Sequence, residues 1–167
     1  IREEGIRKNY IMDIRPDIAV KHPAVIEKLA EAGLKVFICG FESFRDSELE
    51  NYNKNSTAKN IASSIEIFHR NNIMLRGNYI VSNDYGEEDF KALADYAGSH
   101  RVVYAGYTIL TPMPGTVLHR QIKSEITDFD LSKYNFFNCV LKTRMPLEKF
   151  YENTGNLWKI KIGKDII

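Results

Sequence analysis

Lys35-Val36-Phe37-Ile38-Cys39-Gly40 is a short apolar run of strand length, and Phe41-Glu42-Ser43 leads from it into a polar loop. The residues before it read as a helix. Pro23 stands where a helix begins, Val25, Ile26, Leu29 and Ala32 share one apolar face, and Gly33 closes it. Further upstream, Tyr10 to Ile14 is expected to form a strand and Arg15-Pro16-Asp17 a turn.

Downstream the alternation continues. Phe41 to Asn55 is polar and Asn-rich, which fits a loop or a short irregular helix. Ser56 is placed to cap a helix that points Ala58, Ile61, Ala62, Ile65 and Phe68 inward. Ile73 to Val81 reads as the next strand, and Asp84 as the cap of a helix carrying Phe90, Leu93, Ala94 and Ala97. Val102 to Leu110 reads as a fourth strand, rich in β-branched and aromatic residues. Two prolines and a glycine in Thr111-Pro112-Met113-Pro114-Gly115-Thr116 force a turn before a helical Val117 to Glu125. Asn135 to Leu141 is expected as a strand, and Pro146 opens a last helix through Leu147, Phe150, Tyr151, Leu157 and Trp158. Strand starts recur at βαβ spacing, which implies a parallel sheet with right-handed crossovers. Periodicity alone leaves a doubly wound layer and a barrel both open.

The 23 Lys and Arg against 22 Asp and Glu leave a net charge of +1, which gives no electrostatic case for nucleic acid. No apolar run approaches the roughly 20 residues of a membrane span. Ile1 to Lys8 is charged, unlike a secretory signal, and Ile1 to Gly5 reads as the tail of a helix with a glycine cap, as in a piece of a longer chain. Cys39 and Cys139 are too few and too distant for a metal loop or a disulfide scaffold, so a reduced, cytoplasmic setting is expected.

In both parallel architectures chemistry sits at the C-terminal ends of the strands. Those ends are Ile14-Arg15, Gly40-Phe41-Glu42-Ser43, Val81-Ser82-Asn83-Asp84 and Leu110-Thr111-Pro112. Strand alternation puts Val36, Ile38, Gly40 and Glu42 on one face and Phe37, Cys39 and Phe41 on the other. Glu42 would then sit at a barrel mouth beside a residue without a side chain, able to accept hydrogen bonds from a ribose or an amino group, or else to cap the loop or pair with Arg15. Asp13 shares a face with Arg15, and Arg76 shares one with Asn78 and Ser82. Arg76 and Asn78 fit a carboxylate or a ribose, and equally a structural ion pair. Cys39 is expected as a small buried hydrophobe, and His22, His69, His100 and His119 as surface residues.

Gly40-Phe41-Glu42-Ser43 resembles the G-[IFV]-E-S signature of the radical S-adenosylmethionine superfamily. Tyr52-Asn53-Lys54-Asn55-Ser56-Thr57 resembles the family's entry into its next helix. Ile109-Leu110-Thr111-Pro112-Met113-Pro114-Gly115-Thr116-Val117-Leu118 is similar to its LTPYPGTPL segment. The resemblance covers Tyr10 to about Glu125. The tail from Ile126 to Trp158 resembles members with an upstream cobalamin-binding domain, the group that includes the anaerobic magnesium-protoporphyrin IX monomethyl ester cyclase and hopanoid-related enzymes.

The resemblance implies an incomplete, TIM-like (β/α) partial barrel of about four parallel strands with flanking helices. Residues 1–125 would form the C-terminal part of that barrel, and 126–167 an extension packing on it. It implies an iron–sulfur oxidoreductase that generates a deoxyadenosyl radical for hydrogen abstraction, such as a tetrapyrrole cyclase or a cobalamin-dependent methylase. Its cofactors would be S-adenosylmethionine and a [4Fe-4S] cluster, with cobalamin as a further candidate. Glu42, Ser43, Arg76, Asn78, Thr111 and Pro112 would contact S-adenosylmethionine, and Asp13 and Arg15 would line the substrate.

The family's Cys-x3-Cys-x2-Cys loop does not occur in the sequence, and its GLPGET turn reads Ser82-Asn83-Asp84-Tyr85-Gly86-Glu87. Three thiolates must hold such a cluster, so its ligands are expected outside this chain and the fragment alone is expected to be inactive. The first two βα units would precede Ile1. Expected partners are a small-molecule substrate, the upstream half of the same polypeptide, and a second copy through the sheet edge that truncation exposes. Two other readings compete: a non-catalytic nucleotide- or protein-binding module, and an unrelated β/α lyase or aldolase using Glu42 and Arg76. The last needs a lysine nucleophile or metal ligands at strand ends, and the sequence offers neither.

Overall fold

The computed structural model describes residues 3–52, 56–100, 102 and 104–159. Strands and helices alternate: β1 (Tyr10–Asp13), α1 (Pro16–Lys21), α2 (Pro23–Glu31), β2 (Leu34–Glu42), α3 (Asp46–Asn51), α4 (Ala58–Arg70), β3 (Met74–Val81), α5 (Glu87–Ser99), β4 (Tyr104–Ile109), α6 (Val117–Gln121) and α7 (Leu147–Leu157). The four strands form one sheet in the order β1-β2-β3-β4. The β1–β2 and β2–β3 pairs are parallel. This is the α/β arrangement with a parallel sheet that the alternation implied, and it agrees with the partial barrel that the resemblance implied.

The chain divides into two compact units. Among the described residues, the first holds those within 3–79 and 95–106, and the second 80–94 and 107–159. In the first unit, Phe37, Cys39 and Phe41 of β2 and Leu75 and Tyr79 of β3 are fully buried. Ile61, Ile65 and Phe68 of α4 are buried as well, and the Phe37 and Phe68 rings lie 4.7 Å apart. Each such side chain contributes about 1.5–3 kcal/mol by leaving water. Thr57 starts α4 by accepting the Asn60 amide on its hydroxyl, and α2 seals one end of the layer with Ile26. Gly77 is a spacing requirement of this layer: a Cβ there would lie 2.6 Å from the Phe41 ring and 2.9 Å from Val102.

In the second unit, Phe90 of α5 packs edge-on against Tyr85 and against Phe150 of α7. Leu110 donates its amide to Val81, which carries the chain past the end of β4. Asn83 donates its side-chain amide to the Lys142 carbonyl, and Arg144 pairs with Asp89, so the 139–146 segment is tied to the start of α5.

Several expectations change. Asn135 to Leu141 is not a strand: residues 134–137 are a turn, and only Leu141 makes an isolated antiparallel bridge, to Ile126. Arg15-Pro16-Asp17 opens helix α1 rather than a free turn, because Pro16 at the first helical position fixes the helical φ. The cap of α4 is Thr57, not Ser56, and Asp84 lies before the start of α5. Of the 1–5 helix tail, residues 1 and 2 lie outside the described residues and 3–5 form a turn. Positions 53–55 of the helix-entry motif, 101, 103 and 160–167 also lie outside them. His22 is exposed, whereas His69, His100 and His119 are half-buried. No helix among the described residues is long and apolar enough to cross a membrane.

Two stability predictions follow from these contacts. Gly77→Ala is expected to cost about 1–3 kcal/mol in urea unfolding, since the Phe41 ring and the Val102 side chain on a packed layer must shift. Asp17 is 6% exposed and sits between Arg15 (3.0 Å) and Lys21 (3.1 Å). Burial works to raise its carboxyl, but hydrogen bonds from Lys21 and Arg15 outweigh it and hold the group below the usual carboxylate range. That stabilisation is present above the unfolded-state value, near 4, and fades as pH falls through the lower folded value. Asp17→Asn is therefore expected to lose up to about 1 kcal/mol at pH 7, both basic partners being largely solvent-exposed. In melts taken from pH 7 down to 3, the gap from wild type should close.

Candidate functional site

The end of β2 is shaped by one unusual residue. Glu42 has φ of 64°, and the Ser43 amide donates to the Phe41 carbonyl across it at 2.8 Å. A three-residue turn with positive φ at a glutamate is rare and strained, costing about 1–3 kcal/mol. The pairing with β3 slips at the same point, between Gly40 and Glu42. The strand thus ends in a turn that re-aims a carboxylate, and such strain concentrates where side chains bind or react.

The loop beyond is braced by side chains. Ser43, 1% exposed, donates its hydroxyl to Glu48 Oε2 at 2.5 Å and accepts the Arg45 amide at 3.0 Å. Arg45 closes the ring through Glu48 Oε1 at 3.2 Å and lies over the Phe44 face, 4.9 Å from its centroid. Phe44 in turn stacks on Tyr96 at 5.2 Å. Asp46 accepts the amide of Ala58, which ties α3 to the first residue of α4. Burial first, then the charges of Glu48 and Glu42, push the Tyr52 phenol well above its ordinary range, so two carboxylates and a phenol share this corner. Glu48 and Arg45 were not singled out from sequence, and Tyr52 only as the start of the helix-entry motif. The acidic Asp46-Ser47-Glu48, a good first helical turn, was the available signal.

The open face of the first unit's sheet carries the other candidates. Asp13, Ile38 and Arg76 lie in register across β1, β2 and β3. Gly40 lies opposite Asn78. On Asn78's other side stands Gly106, where a Cβ would come 2.6 Å from Asn78 Oδ1. Asn78 is therefore a lone amide on a floor with glycine to either side, which leaves room for a flat group and gives it one donor and one acceptor. Arg76 and Asp13 are exposed. Arg15 donates its Nε to Asp17. Its position is thereby set by α1.

In the second unit, Thr111 and Pro112 are buried directly after β4. Thr111 donates its hydroxyl to the Ile109 carbonyl at 3.0 Å, so its role is to set the backbone of the turn. Cys39 is fully buried, and burial together with the Asp13 charge pushes its thiol up to about 12. Burial also raises Cys139, whose Sγ lies 3.4 Å from the Leu141 carbonyl. Among the described residues no group of three or more His, Cys, Asp or Glu is placed to hold a metal ion. An iron–sulfur cluster does not fit these residues.

No family model matches the chain. Its sequence is similar to a bacteriochlorophyllide d C-12(1)-methyltransferase of Chlorobaculum tepidum, 28% identical over 80% of this chain and 30% of that protein. It is similar to a hopanoid C-3 methylase of Methylococcus capsulatus, 24% identical over 90% of this chain and 29% of that one. The anaerobic magnesium-protoporphyrin IX monomethyl ester cyclase of Cereibacter sphaeroides is 26% identical over 68% of this chain and 19% of its own length. The chain thus spans less than a third of the curated relatives it matches. Among solved structures, the cobalamin-dependent S-adenosylmethionine radical enzyme OxsB, with aqua-cobalamin and S-adenosylmethionine bound, superposes with a TM-score of 0.52 at 12% identity. That match covers 93% of this chain and 24% of OxsB. The resemblance carried by Gly40–Ser43 and the Thr111–Thr116 turn is thereby borne out: this chain has the fold of part of an S-adenosylmethionine radical enzyme, and methyltransferases and a tetrapyrrole ester cyclase are its relatives in sequence.

Proposed function

We propose that the polypeptide containing this chain is a radical S-adenosylmethionine enzyme that abstracts hydrogen from a polycyclic, largely apolar substrate. Methylation or ring closure would follow. The observation that carries this reading is the strained Glu42 turn at the end of β2, in the unit whose open face holds the Gly40–Asn78–Gly106 floor. Strained left-handed residues of this kind cluster at active sites and ligand clamps. The substrates for which the relatives are named, a bacteriochlorophyllide, a hopanoid and a magnesium-protoporphyrin ester, support the substrate class. Cobalamin is proposed as a second cofactor, on the likeness to OxsB.

In this reading Glu42 accepts hydrogen bonds from the ribose or amino group of S-adenosylmethionine, Asn78 holds a ribose hydroxyl, and Arg76 faces the carboxylate. Ser43 acts by fixing the loop that carries Glu42. Thr111 and Pro112 shape the backbone against the adenine, and Asp13 and Arg15 stand toward the substrate. The cluster's thiolates come from outside the described residues, so this chain alone is inactive. Its partners are the upstream half of the polypeptide and the substrate, in a reducing cytoplasm. Where that half is missing, a second copy is proposed to pair along β1, the terminal strand, whose Ile11 and Met12 are exposed.

The test uses the longer polypeptide, purified without oxygen and reconstituted with iron and sulfide. About four irons per chain and reductant-dependent deoxyadenosine are expected. Glu42→Gln should lower deoxyadenosine formation about tenfold or more with iron content unchanged, the loss expected when one charged hydrogen bond is removed. A folded protein with neither cluster nor deoxyadenosine would overturn the enzyme reading in favour of a binding module.

A further inference from the structure

The second unit displays aromatic rings that its own core does not use. Phe136 is 47% exposed, Phe137 62% and Trp158 49%. Trp158 meets Tyr107 edge-on at 5.8 Å and faces Phe137 at 6.5 Å with the planes tilted by 43°. Rings left in water on a loose loop would carry no message, but this turn is clamped. Asn135 Oδ1 accepts from the amides of Phe137 (3.1 Å) and Asn138 (3.2 Å) and from Asn138 Nδ2 (3.1 Å), while Asn135 Nδ2 donates to the Ser132 carbonyl. On one side the Tyr134 hydroxyl donates to the Asp128 carbonyl, and on the other the Cys139 amide donates to the Tyr151 hydroxyl.

Two further features place the turn at a ligand-binding position. Phe136 has φ of 68°, a left-handed conformation that a bulky side chain adopts only under constraint. Its carbonyl accepts the amide of Ile109, the last residue of β4, at 2.7 Å. The strained residue is thus fastened to a strand's C-terminal end, where parallel β/α sheets bind their ligands, two residues before Thr111. The rings border that end. They are not a remote patch.

We propose that Phe136, Phe137 and Trp158 form a platform that stacks a planar, conjugated, largely apolar ring system, the substrate of the reaction proposed above. Offset and tilted stacking against Phe137 and Trp158, whose planes are tilted by 43°, with the exposed Phe136 next in the same turn, suits a broad flat face. Ion pairing of Lys133 with Asp128 on the same loop neutralises charge beside the platform. The proposal rests on the substrate class given under Proposed function, and it is a statement about this chain's own residues.

Trp158 is the single tryptophan, so its fluorescence reports on the platform alone. The 167-residue chain is titrated with protoporphyrin IX as a metal-free planar probe, and with decanoate as a flexible apolar control. Saturable quenching by the porphyrin and none by decanoate are expected. In F136N/F137S the apparent affinity should fall about tenfold or more, two stacking faces being lost. Asn tolerates the left-handed backbone, so the variant keeps the turn, and an unchanged circular-dichroism melt verifies this. Equal quenching in wild type and variant overturns the platform. So does sedimentation showing an unliganded dimer that F136N/F137S converts to monomer, because the rings would then be an interface between copies. Deoxyadenosine from the longer polypeptide without porphyrin binding here overturns the platform alone. Porphyrin binding here without deoxyadenosine there overturns the enzyme reading and leaves the platform standing.

Discussion

Alternation along β2 is the constraint on which the first unit depends. Successive side chains of a strand face opposite ways, so once Phe37, Cys39 and Phe41 are committed to the helix layer, Ile38 and Gly40 must face away from it, up to the slip in pairing where the left-handed turn re-aims Glu42. A slip of one residue would turn Phe37, Cys39 and Phe41 out to the open side and forfeit their burial. Gly77 protects the same register from the neighbouring strand, because only a residue without a Cβ lets the Phe41 ring lie flat against β3. The apolar contacts that hold the layer therefore also decide which groups remain available on the open side.

What they make available is sparse. The floor is glycine, asparagine and glycine, with charge set at its margins by Asp13, Arg76 and Glu42. The braced Ser43–Arg45–Glu48 ring keeps the loop after β2 in place without filling that floor. Rigidity comes from side chains that point back into the loop, which is how a site can be fixed and open together. The second unit follows the same logic with different parts. There Asn135 supplies the bracing and aromatic rings are what is displayed.

Much of this was legible in the residues. The Phe37/Cys39/Phe41 alternation, the Pro23 start and the Gly33 stop all translate one pattern into one backbone. Where sequence reading failed, a side chain had overridden the pattern. Asn135 to Leu141 has the composition of a strand, but the Asn135 carbonyl gathers three nearby donors and turns the chain, an alternative that short polar side chains offer to any ladder. Helix α3 was obscured by the asparagines around it, although Asp46 and Glu48 suit a first turn. The left-handed backbone of Glu42 had no sequence signal, since nothing in Gly-Phe-Glu-Ser marks its third residue for positive φ. Glu48 joins the site through its bond to Ser43, and Tyr52 through the charges of Glu48 and Glu42 beside it.

The burial of both thiols carries a consequence for how iron can be counted in this protein. Iron and sulfide offered in excess assemble on any accessible thiolate, and stray clusters inflate the metal content of a reconstituted preparation. Cys39 lies under the helix layer with its thiol pushed up to about 12, and burial raises Cys139 as well. Neither presents a thiolate at neutral pH, so this chain offers loose iron no accessible thiolate. Iron retained by the whole protein after desalting therefore reports ligands supplied elsewhere, and its stoichiometry reads without a correction for this region.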